Sequence, residues 1–109
     1  MEALRTVSSG PWDEGRNEVV SVTGPLVHRC PFRDEWDYGH VTITWQVDGQ
    51  TLELHDLATY LESYSTVVVS HEDITGQIFW DVKAAGLDGV KVETEWDTAG
   101  FKVTVVRTT

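Results

Sequence analysis

At 109 residues, with hydrophobic residues at 40% and charged residues at 24%, the chain has the length and usage of one globular domain. That composition excludes a disordered tail, a collagen-like repeat and a coiled coil, and no apolar run approaches the roughly 20 residues of a bilayer-spanning helix. Acidic residues outnumber basic ones 18 to 8, giving a net charge of −10. Such a surface repels phosphate backbones and argues against a sequence-reading DNA-binding domain.

In chain order, Met1 to Asn17 is rich in Ser, Gly, Pro and charge without any period, which predicts a loose arm ahead of a single domain over 18–109. The opening Met1-Glu2-Ala3-Leu4-Arg5 lacks the apolar stretch of a signal peptide, and the lone Cys30 has no internal disulfide partner; both point to a cytoplasmic setting. From Glu18 the pattern becomes β-like, with Val19, Val20 and Val22, then Leu26 and Val27 beyond a Gly24-Pro25 interruption. Residues 30–39 read as a polar loop. Val41, Ile43, Trp45 and Val47 then alternate with polar residues, Asp48-Gly49 supplies a tight turn, and Leu52 and Leu54 resume the alternation, which predicts a hairpin.

The period then changes. Asp56 is a plausible N-cap for a helix bearing Leu57, Tyr60, Leu61 and Tyr64. After Val67-Val68-Val69, Ser70 is placed to cap a second helix with Asp73 at the capping-box position. Ile74, Ile78, Phe79 and Val82 form its apolar face, and Gly86 suits its end. Val90, Val92 and Trp96, then Phe101, Val103 and Val105, mark two closing strands. The expected fold is α+β: a four-stranded antiparallel sheet with both helices between the second and third strands, packed on one face. A small sheet with two open edges, in a chain carrying five Trp, predicts an oligomer.

Three sets of residues invite a chemical reading. A single cysteine is most often a small buried hydrophobe, but Cys30 ends a strand, precedes a proline and lies between Arg29 and Arg33. Cations in that position stabilise a thiolate, the nucleophilic form. Asp34, Glu35 and Asp37 in the same loop each offer a proton donor, and the spacing leaves open which one serves. His71-Glu72 opens the second helix, where the helix dipole favours a carboxylate in any case. Functionally, a carboxylate there accepts paired N–H groups such as those of a guanine edge. His28, His40, His55 and His71 with Cys30 suffice for zinc by count, but no pair has CxxC, HxxxH or HExxH spacing, so no metal is expected.

Cys30-Pro31, Asp37 seven positions beyond the cysteine, the hairpin, Glu53-Leu54-His55-Asp56-Leu57 and Ser70-His71-Glu72 together resemble the QueF family. Its members are nitrile reductases acting on 7-cyano-7-deazaguanine and shorter QueF-like amidinotransferases. The similarity spans roughly residues 20–108 through four separated motifs in the same order. It implies the tunnelling fold (T-fold), whose small subunits assemble into barrels, as pentamers or decamers, with active sites between neighbouring subunits. It also implies that Cys30 attacks the nitrile carbon to give a thioimide, that Asp37 protonates the nitrile nitrogen, and that Glu72 grips the guanine-like edge. His71 then lies beside the reacting group, and Glu53 makes a second substrate contact across a subunit interface.

The resemblance has gaps on its cofactor side. Reductases carry two lysines in a Glu-Ser/Leu-Lys-Ser/Ala-hydrophobic-Lys motif, and those positions here are His55 and Ala58. An arginine before paired glycines is replaced by Thr98-Ala99-Gly100. Losing three cations disfavours a dinucleotide polyanion. No cofactor is therefore expected, and the leading expectation is amidination of the thioimide by ammonia to an archaeosine-like formamidine. The alternatives are an NADPH-dependent reductase giving the aminomethyl product and a non-catalytic T-fold that binds a deazapurine or pterin. The substrate is 7-cyano-7-deazaguanine either as the free base or within tRNA or DNA, with the net charge leaning to the free base.

Overall fold

The computed structural model describes residues 4–10 and 18–109. Its elements are β1 (Thr6–Ser8), β2 (Val19–Arg29), β3 (Trp36–Gln46), β4 (Gln50–Leu52), α1 (Leu54–Glu62), a 3-10 turn (Ser63–Thr66), α2 (His71–Ala84), β5 (Asp88–Thr98) and β6 (Phe101–Thr108). Strands β2-β3-β5-β6 form one antiparallel sheet, with both helices between β3 and β5 as the periodicity predicts.

Alternation along these strands decides which face each residue meets. Leu26, Val41, Ile43, Trp45, Val90, Val92 and Trp96 point to the helices and are buried against Ile74, Ile78, Phe79 and Val82 of α2 and Leu57, Tyr60 and Tyr64 around α1. The opposite face carries cross-strand hydroxyl pairs, Ser21 Oγ to Thr44 Oγ1 at 2.7 Å and Thr23 Oγ1 to Thr42 Oγ1 at 2.9 Å.

Several expectations are corrected. Gly24-Pro25 does not interrupt the first strand: β2 runs through it, with Pro25 opposite His40. An edge strand tolerates a residue that cannot donate to a ladder. The polar loop ends early, because Trp36 to Gly39 pair with Arg29 to Leu26 and belong to β3. The chain after Asp48-Gly49 does not fold back on β3 either. Both edges of β3 are already occupied by β2 and β5, so β4 leaves the sheet and pairs with β1 through Thr6↔Leu52 and Ser8↔Gln50. Thr6–Ser8 is therefore a strand inside the segment expected to be loose. It is anchored by Arg5, which donates through Nε and Nη2 to Asp56 at 2.5 and 2.9 Å. The remainder of the expected arm, residues 1–3 and 11–17, lies outside the described residues.

Leu54 lies in the first helix rather than in a strand, and Glu53, not Asp56, is the N-cap, accepting from the amides of His55 and Asp56. Ser70 caps α2 as predicted, accepting from Asp73 N at 3.1 Å, and Gly86 follows its end with φ +99°. The two helices are joined by a polar chain that runs from the buried Tyr64 and Tyr60 to the half-buried Asp81: Tyr64 donates to the Tyr60 hydroxyl (2.8 Å), Tyr60 to Asp81 Oδ2 (2.5 Å), and the exposed Gln77 to Asp81 Oδ1 (3.0 Å). Burial, aided by the adjacent Asp81 carboxylate, drives the Tyr60 phenol far above its ordinary range. Tyr60→Phe leaves the Tyr64 hydroxyl without its acceptor and Asp81 Oδ2 without its Tyr60 donor. Its expected effect is a loss of about 1–3 kcal/mol in urea unfolding, with an unchanged denaturant slope.

Candidate active site

β2 ends at Arg29, and Cys30, half-buried, is the first residue beyond it. Cys30 N–H donates to Glu35 O (3.0 Å) and Glu35 N–H to Arg33 O (2.9 Å), folding the 30–35 loop on itself. Arg29 pairs outward as well, donating to Val67 O at 2.9 Å and accepting from Val69 N at 3.1 Å. That short parallel bridge lays the segment preceding α2 along the end of β2 and delivers His71, the first residue of α2, beside it.

Three elements thus converge. His28 and Asp37 are register partners on β2 and β3 and both are buried, at 0% and 7% exposure. His28 Nε2 lies 2.9 Å from His71 Nδ1 and 3.7 Å from Asp37 Oδ2. His71 Nε2 lies 3.0 Å from Thr98 Oγ1 at the end of β5. Trp96 is the wall of this cluster. The His71 ring stacks on it at 4.6 Å with planes 15° apart, and His28 meets it edge-on at 4.6 Å.

The wall is itself held. Trp96 Nε1 donates to Thr94 Oγ1 (2.9 Å), Thr94 bonds Thr75 Oγ1 (2.7 Å), and Thr75 donates to the backbone carbonyl of His71 (2.7 Å), tying the first turn of α2 to β5. Opposite Trp96 stands Gly39. A Cβ there would sit 2.2 Å from Glu95 O and 2.5 Å from Trp96 Cε3, so only glycine admits the indole.

Burial, followed by the neighbouring His28, holds the His71 imidazole below the usual histidine range, and the nearby Asp37 carboxylate offsets part of that. His28, Asp37 and His71 present three ligand atoms within 4.8 Å of one another, which a metal could use by count. Two of those atoms, His28 Nε2 and His71 Nδ1, face each other across a hydrogen bond instead of converging on a third point. The donor set fits a proton-sharing pair better than a cation.

The other residues singled out lie apart from this cluster or at its margin. Glu72 follows His71 on α2 and is exposed. Glu53 is committed within the subunit to capping α1 and to His55 Nδ1 at 2.9 Å, bonds that lower its carboxyl below the usual range. His55 has its side chain 99% exposed, and Ala58 is exposed on the same helix. Arg29, read from the sequence as a cation beside the cysteine, is bonded to Asp34 and lies over the Trp36 ring at 5.6 Å. Sequence reasoning weighed His28 only as a zinc ligand and passed over Trp96 and Thr98 as site residues. The available signal for His28 was its place two positions before Cys30, near the end of the predicted strand.

Comparison with known proteins bears on this geometry. The sequence model described as QueF-like protein matches residues 36–109. The chain is 32% identical over 96 residues to the NADPH-dependent 7-cyano-7-deazaguanine reductase of Parasynechococcus marenigrum, covering 85% of this chain and 71% of that protein. The chain belongs to the QueF-like family. It is also 35% identical over 72 residues to the NADPH-dependent 7-cyano-7-deazaguanine reductase of Trichormus variabilis, spanning 65% of this chain and 53% of the relative. In three dimensions it matches the archaeosine synthase QueF-Like in its apo form with a TM-score of 0.81 at 24% identity, over 84% of this chain and 92% of that one. The shared α+β architecture is the T-fold. The QueF-like match begins at Trp36, so it includes Asp37, His71 and Glu72 and leaves Cys30 to be tested on its own.

Two outcomes follow. Gly39→Ala should cost at least about 3 kcal/mol in equilibrium unfolding, because neither the indole nor the β5 carbonyl has room to withdraw. His71 binds its proton more weakly when folded than at the unfolded value of about 6.5, so the unfolded chain takes up that proton first as pH falls. The resulting stability is complete above that ordinary value and is lost as pH drops through the lowered one. Urea midpoints should therefore fall on acidification across this window, and His71→Asn should flatten that part of the profile.

Proposed function

We propose that this QueF-like chain acts on the nitrile of 7-cyano-7-deazaguanine through a covalent thioimide on Cys30, and that ammonia resolves the thioimide to a formamidine. The observation that supports this reading is the cluster of buried Asp37 and His28 with His71 at the end of the β2–β3 pair, from which the chain runs on to Cys30 two residues beyond His28. The Cys30 thiolate forms the C–S bond at the nitrile carbon while Asp37 passes its proton to the nitrile nitrogen. Ammonia then adds at the same carbon, the C–S bond breaks, and Cys30 leaves as thiolate. Glu72, exposed at the first turn of α2, supplies the acceptor for the paired N–H groups of the guanine-like edge. Glu53 contributes from a neighbouring subunit of a homo-oligomer, pentameric or decameric.

Amidination is favoured over reduction by the charges on this chain. NADPH carries several phosphate charges, and α1, where reductase lysines are expected, reads Leu-His-Asp-Leu-Ala-Thr-Tyr-Leu-Glu, with no Lys or Arg. Arg5, Arg29 and Lys102 are each already bonded to an aspartate. These residues do not fit a dinucleotide, and no step is routed through one. The reading that competes is the NADPH-dependent reduction named for the cyanobacterial relatives.

The test is an intact mass after incubation with 7-cyano-7-deazaguanine. Wild type should gain the mass of one substrate and Cys30→Ala should gain none. Ammonium should then discharge the adduct as the formamidine. Discharge by NADPH with loss of its absorbance would replace amidination by reduction, and an absent wild-type adduct would leave a deazapurine-binding T-fold.

A further inference from the structure

One hydrogen-bond direction at His28 is settled by an atom that cannot donate, and with both rings neutral it sets the next. The carbonyl of Arg29 accepts from Val69 N–H at 3.1 Å and lies 3.1 Å from His28 Nδ1. A carbonyl oxygen has only lone pairs, so His28 Nδ1 must carry a proton. In neutral His28 the other nitrogen, Nε2, is then bare. Its partner at 2.9 Å, His71 Nδ1, must therefore be the donor, which makes His71 Nε2 a bare acceptor too. Thr98 Oγ1, 3.0 Å away, completes the run by donating to it. One backbone oxygen of β2, next to the candidate nucleophile in the chain, thus dictates the tautomer of a ring on α2. Burial of His71 favours this neutral arrangement.

We propose that His28 is a positioning residue for the second half of the reaction: it locks His71 as the Nδ1-protonated tautomer, so that Nε2 offers a lone pair to the proton shed by ammonia. The inference rests on the amidination reading above. The balance closes. Ammonia forms a C–N bond at the thioimide carbon, its nitrogen gives one proton to His71 Nε2, the C–S bond breaks, and Cys30 departs with the electron pair. The imidazolium afterwards returns that proton to the amidine product or to water, and Thr98 resumes its bond. Asp37 is left out of this array, since Oδ2 lies 3.7 Å from a His28 nitrogen already occupied by His71, beyond hydrogen-bond length. Asp37 is thus not committed to this array and serves the nitrile nitrogen in the first half. The two half-reactions thereby use separate proton carriers in one small site.

The test measures the halves separately. Adduct formation is followed by mass without ammonia, and discharge is followed after adding ammonium. His28→Phe removes the acceptor for His71 Nδ1–H; His28→Gln retains one, because its amide oxygen reaches the Nε2 position. The expected result is adduct formation by both variants and discharge slowed by about 10- to 100-fold in His28→Phe, less than the loss of a whole acid–base group, with most of that rate restored in His28→Gln. The pH dependence of discharge should also change in His28→Phe and not in His28→Gln. Equal discharge rates in His28→Phe and wild type, equal defects in the two variants, or a defect confined to adduct formation would each overturn the proposal. If His28→Phe does not fold, the imidazole nitrogen shifts of wild type near neutral pH decide: His71 protonated on Nδ1 supports the lock, and on Nε2 refutes it. A wild-type adduct that ammonium cannot discharge would instead fail the amidination reading, and this proposal with it.

Discussion

The site depends on a backbone pairing that involves no functional side chain. Arg29, the last residue of β2, donates to Val67 and accepts from Val69, so the strand carrying His28 and Cys30 is joined to the segment that starts α2. Besides that bridge, β2 and α2 meet through the His28–His71 hydrogen bond. With the bridge, the Arg29 carbonyl serves two donors, the Val69 amide and the His28 ring, and backbone geometry becomes side-chain protonation geometry. Fully buried polar groups are costly unless satisfied, and every buried side-chain polar atom among the described residues has a partner. Such complete satisfaction lets a His–His pair lie in the interior without destabilising the domain.

Packing acts on the same centre from the other side. Trp96 stacks on His71, is gripped through Thr94 and Thr75, and enters only because position 39 lacks a side chain. An imidazole caught between a fixed indole and two hydrogen bonds has little freedom to turn, which is the condition for directed proton transfer. The site is therefore built mainly from regular elements, with the 30–35 loop and the 67–70 segment contributing irregular backbone, an arrangement suited to precise positioning.

Charge shapes what the chain can recognise. The excess of carboxylates is concentrated outside the helix-facing core, and several cations are already bound to it, as in Arg5–Asp56, Arg29–Asp34 and Lys102–Asp97. A small neutral heterocycle read by a carboxylate suits this surface better than a ligand carrying many phosphates. The same reasoning underlies the preference for ammonia as the second reactant.

Much of this was legible in the chain itself. Alternation marked the four long strands, the 3.6-residue period marked both helices, Ser70 and Gly86 marked the ends of α2, and the Cys30, Asp37 and His71-Glu72 motifs carried the family resemblance. These signals are local, set by the intrinsic periods of strand and helix and by capping chemistry. The tertiary structure decided what depends on occupancy and distance. The Asp48-Gly49 turn does not close a hairpin because β3 has no free edge, and β4 pairs with Thr6–Ser8 instead. The bond between His28 and His71, 43 positions apart, and the tautomer it imposes, exist only because a two-hydrogen-bond bridge folds α2 onto β2. No local period encodes a contact between residues that far separated; packing does.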